Sequence, residues 1–163
     1  MAAPADVRAI HSLVTMVRSG LVPALDLRAW ADDMILRYDV PPLWLCNLAL
    51  AATTEAAEAA IGDFDDEQWD GPDDDEHLAC VFLQYAEGQI SWARCLSAAG
   101  AYADVRSGNW TCEEFYAMLT EFEATCGSAD LATRQFAQVT AKLGSAIERI
   151  RTLRMVHVGH APK

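Results

Sequence analysis

Nine carboxylates stand within fourteen residues at Asp63–Glu76, the run DFDDEQWDGPDDDE. Side chains of that type and density can do one of two things: hold a divalent cation or attract a basic partner. A cation site needs a fixed ligand pattern. With Asp66 as the first position of a calcium loop, Asp70 takes the fifth, Gly71 the sixth and Asp74 the ninth. The eighth then falls on Asp73, where an apolar residue belongs, and the twelfth on His77, where a bidentate glutamate must close the shell. No metal is therefore expected.

Helix electrostatics explain part of the run. Pro72 followed by Asp73, Asp74, Asp75 and Glu76 suits a helix start, where proline loses nothing and carboxylates face the positive dipole end. Asp63, Asp65, Asp66, Glu67 and Asp70 lie in the connection itself, where they repel one another, with Trp69 among them. Those six residues are the candidate partner-binding site.

Other chemistry finds little footing. His11, His77, His157 and His160 form no Glu-x-x-His or His-x3-His pair, so a di-iron or zinc arrangement is not expected. There is no phosphate-cradling GxxxxGK loop, and no serine or cysteine has a motif-defined base. Neither a catalytic residue nor a cofactor is expected. Cys46, Cys80, Cys95, Cys112 and Cys126 are odd in number and lack a CxxC, which suits reduced thiols acting as small core hydrophobes.

The elements that position these residues are helical. Val7, Ile10, Val14 and Val17 predict a first helix over 4–19, ended by Ser19-Gly20. Leu27, Trp30, Ala31, Met34, Ile35 and Tyr38 form one stripe over 25–39, closed before Pro41-Pro42. Pro42 opens LWLCNLALA, apolar nearly all round and so expected to be buried on most sides. Thr53-Thr54 caps a short helix that Gly62 closes. After the acidic connection a long helix is predicted over 73–99, extending toward 105, with Gly88 as an interior interruption and Gly100 and the RSGN run at 106–109 ending the region. Thr111 and Glu114 make a capping box for a helix directing Phe115, Met118, Leu119 and Phe122 inward. Ser128 caps the last helix, about 129–155, with Phe136, Val139, Leu143, Ile147, Ile150 and Arg154 as its stripe. No stretch alternates with period two.

The prediction is an all-α, single-domain bundle of six to seven helices. Residues 1–62 carry the first helices, 63–72 the acidic connection, 73–156 the long helices and 157–163 a frayed tail. A length of 163 residues suffices for one sizeable core.

Net charge is -12 and unevenly divided: residues 63–127 hold fifteen acids and two bases, whereas 128–163 hold two acids and six bases. Such a field disfavours nucleic acid and anionic membrane surfaces and steers basic proteins inward. The N-terminus lacks a signal-peptide pattern and no run reaches membrane-spanning length, so a cytoplasmic protein is expected.

The Trp30-Ala31-Asp32 helix followed by Pro41-Pro42-Leu43-Trp44-Leu45 resembles small helical immunity proteins from bacterial polymorphic-toxin loci, over about twenty residues. The resemblance implies an inert cytoplasmic inhibitor that masks a cognate toxin domain, and it transfers no site residue. The expectation is a non-enzymatic module holding a basic protein partner, such as a toxin domain. The alternatives are a helical bundle binding a small ligand or metal, or a structural or regulatory bundle that oligomerises through an apolar helix face.

Overall fold

The computed structural model describes residues 4–64, 73–106 and 108–158, with side chains from residue 7 onward. Among these residues the chain is helical throughout and forms no strand. In order come α1 (Pro4–Arg18), a 3-10 turn (Ala24–Leu27), α2 (Arg28–Ile35), α3 (Leu43–Leu50), α4 (Thr54–Gly62), α5 (Asp74–Ala86), α6 (Trp92–Asp104), α7 (Cys112–Ala124) and α8 (Ala129–His157). The described α-helices number eight, against the six to seven expected.

The chain divides into two compact units. One holds α1 to α4 and the end of α8 from Arg149; the other holds α5 to α7 and α8 up to Glu148.

In the first unit, α1 buries Ile10, Leu13, Val14 and Met16. Two buried hydroxyls on the same helix bond backward, Ser12 Oγ to Arg8 O (3.1 Å) and Thr15 Oγ1 to His11 O (2.9 Å). Back-bonding of this kind lets a polar residue enter an apolar face without an orphaned donor. Ser19-Gly20 stops the helix as predicted: Gly20 takes φ +84°, its N–H donates to Val17 O, and Leu21 N–H donates to Met16 O. That double bond around a left-handed glycine is the Schellman arrangement.

Leu27, Trp30, Ala31 and Met34 are buried, but the α-helix ends at Ile35 rather than 39, preceded by the 3-10 turn. Pro42 is the extended residue before α3, one position earlier than predicted. Trp44, Leu45, Leu48 and Ala49 are buried, and Trp44 stacks on Trp30 with centroids 6.4 Å apart. The expectation that α3 is covered on most sides fails. Leu43 is 75% and Leu50 81% exposed, because an eight-residue helix between two neighbours shows a third face. Thr53 caps α4 through its hydroxyl, accepting from Ala56 N–H at 3.2 Å.

The second unit departs from the sequence reading first at Gly88. The long helix predicted from 73 to 99 is two helices. Gly88 adopts φ +72°; Gly88 N–H donates to Tyr85 O and Gln89 N–H to Gln84 O. This is again a Schellman stop, so the glycine terminates α5 instead of interrupting a helix. Ser91 then caps α6, accepting from Arg94 N–H. Gly100, predicted as an end, lies inside α6 and is buried, where a Cβ would meet the Tyr116 ring of α7 at 2.6 Å. Close helix crossing, not termination, uses that glycine.

The predicted capping box forms at α7, with Thr111 N–H donating to Glu114 Oε2 at 3.1 Å. Its predicted stripe is incompletely covered: Phe115 is fully buried, whereas Met118, Leu119 and Phe122 are half-buried. At its end Cys126 takes φ +54°, with its N–H donating to Glu123 O and Gly127 N–H to Phe122 O. A Schellman position occupied by a side chain costs about 1–2 kcal/mol relative to an unstrained backbone, partly offset by glycine's larger unfolded-state entropy. Cys126→Gly is therefore expected to stabilise the protein by about 1 kcal/mol, raising Tm by ~2–4 °C. A thermal melt giving an unchanged or lowered Tm would contradict the assignment.

Ser128 Oγ accepts from Leu131 N–H at 3.4 Å and starts α8, which buries Leu131, Val139, Leu143, Ile147 and Ile150. The last five residues of the expected tail, 159–163, lie outside the described residues.

All five cysteines are free thiols. Cys80 and Cys95 are core residues, and burial raises the Cys95 thiol well above its ordinary range. Both behave as apolar filling.

Candidate partner-binding surface

Of the six candidate residues, Asp63 is described; Asp65, Asp66, Glu67, Trp69 and Asp70 fall within 65–72, outside the described residues. Asp63 follows the last residue of α4, exposed, with its N–H donating to Ala59 O at 3.0 Å. The residue after it is an anchor that sequence reasoning missed. Phe64 is 8% exposed and packs edge-on against Trp44 (5.0 Å) and His11 (6.0 Å). An aromatic at the mouth of a charged run fixes the chain to the first unit before the carboxylates begin. Phe64 alternates with Asp63 and Asp65, so its apolar character was visible, although nothing local named its partners.

The carboxylates that follow were predicted to serve the helix dipole. Asp74, Asp75 and Glu76 do occupy the first turn of α5. Two of them do more than that. Glu76 is 3% exposed. Asp74 Oδ1 accepts from the Tyr102 hydroxyl at 2.7 Å and lies 4.0 Å from the Arg106 guanidinium, within the second unit. Gly108 matters to this contact, since a Cβ there would run into Asp74 Oδ2.

His77, one turn along from Asp74, stacks flat on Tyr102 with centroids 3.8 Å apart and 10° between planes. Arg106 lies over the other part of the same cluster, 5.4 Å from the Tyr102 centroid. Burial, helped by the Arg106 charge and opposed by Asp74, lowers the His77 pKa to about 4. The imidazole is neutral at pH 7 and is not poised for proton transfer there. The spacing Asp74-x2-His77 and Tyr102-x3-Arg106 was legible, but nothing in the sequence set one pair against the other.

The shift carries a stability consequence. Between pH ~6.5 and ~4 the unfolded chain binds a proton at His77 that the folded chain refuses, so stability falls as pH drops through that window. From pH 7 to 4.5 this one group is expected to remove roughly 2–3 kcal/mol. His77→Phe keeps a stacked ring and removes the titration. Urea midpoints at the two pH values should therefore differ less in the variant; an equal loss in both would dismiss His77 as a contributor.

The outward face of α7 is acidic. Glu113, Tyr116, Glu121 and Glu123 are exposed, and the helix contains no lysine or arginine. Residues 74–148 carry eleven acids and four bases. Two of those bases are engaged within the unit: Arg106 beside Asp74, and Lys142, whose ammonium lies 3.4 Å from Glu114 and 4.5 Å from the Trp110 centroid. Solvent-exposed pairs of this kind contribute less than about 1 kcal/mol each. With eleven acids against four bases, residues 74–148 keep a net charge of -7.

Two clefts bear on a small-ligand reading. A cleft of about 370 Å³ in the first unit is lined mainly by Val17, Val22, Pro23 and Ile61 with Arg18 and Glu58. One of about 270 Å³ in the second unit lies between α7 and α8, with Met118, Val139, Glu114 and Lys142 in its wall. The second cleft also has Glu121 and Gln138 in its wall, but Lys142 is already paired with Glu114 and Glu121 with Gln135. Among the described residues no group of three His, Cys, Asp or Glu side chains is placed to hold a metal, and no helix is long and apolar enough to cross a membrane.

The geometry defines an all-helical, acidic protein with one helix face rich in carboxylates. No family model, curated protein or solved structure matches the chain.

Proposed function

We propose that this chain is a non-enzymatic protein-binding module that holds a basic protein partner through the carboxylates of its middle third. In its most specific form it is an immunity-type inhibitor that masks a basic toxin domain. The observation that carries the reading is the α7 face, where Glu113 and Glu123 stand exposed with Tyr116 and the helix carries no base. An aromatic set among unneutralised charges suits a partner whose lysines and arginines are steered in and then anchored. The connection residues Asp63, Asp65, Asp66, Glu67, Trp69 and Asp70 extend the same charge in sequence.

The product of the neighbouring gene is the natural partner to measure. Reversing Asp65, Asp66 and Glu67 together to lysine is expected to slow association at least ~10-fold at low salt, with the difference fading as salt rises. Unchanged affinity and an unchanged salt slope would remove the connection from the binding site. Glu113→Lys with Glu123→Lys makes the same comparison for α7.

A further inference from the structure

The most exposed apolar residues of the first unit are not scattered. Leu36 (85%), Val40 (84%), Leu43 (75%) and Leu50 (81%) run from the end of α2, through the connection, onto one face of α3. Leu43, Asn47 and Leu50 share that face at i, i+4 and i+7, about 10 Å from end to end, and Asn47 is exposed with them. The run 40–52 contains no charged residue. Large aliphatic side chains left this open, within the longest neutral stretch of an acidic protein, mark an interaction surface.

We propose that the occupant is a second copy of this chain, with α3 packed antiparallel against α3 across a two-fold axis. The pattern on the face is its own complement. An antiparallel pair centred near Asn47 sets Leu43 of one copy against Leu50 of the other, and brings the two Asn47 amides together, each able to donate and accept.

The four residues supply most, but not all, of the area a weak dimer needs. At roughly 100 Å² of apolar surface per open aliphatic side chain, the four residues bury about 800 Å² across two copies before any polar rim is added. Specific interfaces begin near 1,000 Å² in total, so the expected association is weak, with Kd on the order of 10 µM. A neutral contact also lets two acidic chains meet where their mutual repulsion is least.

Sedimentation equilibrium on the full chain tests this. Across concentrations from about 1 to about 300 µM, the mass should rise from 17.8 kDa toward twice that value. Leu43→Asp with Leu50→Asp, both at open positions, should stay at the monomer mass with an unchanged melting curve. A wild-type chain that remains at 17.8 kDa throughout overturns the proposal and leaves the face to a different protein. A dimer that survives in the folded Leu43→Asp, Leu50→Asp variant overturns it too.

Discussion

Phe115→Ala is expected to lower the unfolding free energy by about 4 kcal/mol and to loosen α7 ahead of the rest of the second unit. Phe115 is completely buried, and it is the one side chain of α7 that is. Its ring stacks on Trp110 at 5.1 Å with 20° between planes, and it meets Phe82 at 6.0 Å. Rings of that size do not flow into a phenyl-shaped void, so the cavity term adds fully to the lost transfer energy. The other apolar residues of α7 cannot compensate, since Met118, Leu119 and Phe122 are already half in solvent. Urea unfolding measures the total loss, and amide exchange measures its distribution. A loss below about 1.5 kcal/mol, or exchange that rises evenly through α5 to α8, would show that α7 is held by something other than Phe115. Because α7 also carries Glu113, Glu121 and Glu123, the same variant should weaken any partner that reads that face.

Local and long-range features were legible from the sequence to very different depths. Local chemistry transferred well: Ser19-Gly20, Thr53, Thr111 with Glu114, and Ser128 all do at their positions what their residue types imply. These signals are complete within four or five residues, so no tertiary information is needed to read them. Gly88 shows the limit of that approach. A glycine inside a helical pattern is compatible with a tolerated interruption or a left-handed stop, and the choice rests on whether Ser91 can open a new helix three residues on. Apolar stripes transferred only in part. Periodicity says which residues share a face, but not whether a neighbour covers it. Leu43 and Leu50 of α3 and the lower half of the α7 stripe therefore looked like core and lie at the surface. The candidate site shows the same division. The excess charge of the middle third was plain, whereas the capture of Asp74 by Tyr102 and Arg106 joins residues 28 and 32 positions away, and spacing carries no trace of that.

A polar residue in the core provides the second large effect. Gln135 is 3% exposed and is the meeting point of three helices. Its Oε1 accepts from the Trp92 indole N–H at 2.7 Å, while Nε2 donates to Met118 O and to Glu121 Oε2, both at 3.0 Å. Every bond is between α8 and either α6 or α7, so one amide sets the register of α8 against both. Gln135→Leu is close in volume and opens little cavity. It strands the buried Trp92 N–H, whereas the Met118 carbonyl keeps its helical donor and Glu121 can return to water. Leaving a buried donor without a partner costs ~1–3 kcal/mol, and the loss is expected to be about 2 kcal/mol. Packing alone would not predict this, since leucine suits an apolar environment better than glutamine. The discriminating measurement is a double-mutant cycle with Trp92→Phe, which removes the indole donor while keeping a ring between Phe82 and Tyr85. In that background Gln135→Leu should cost at least about 1 kcal/mol less than in the wild type. Additive losses, with coupling under ~0.5 kcal/mol, would mean that the 2.7 Å contact contributes geometry but no energy to the second unit.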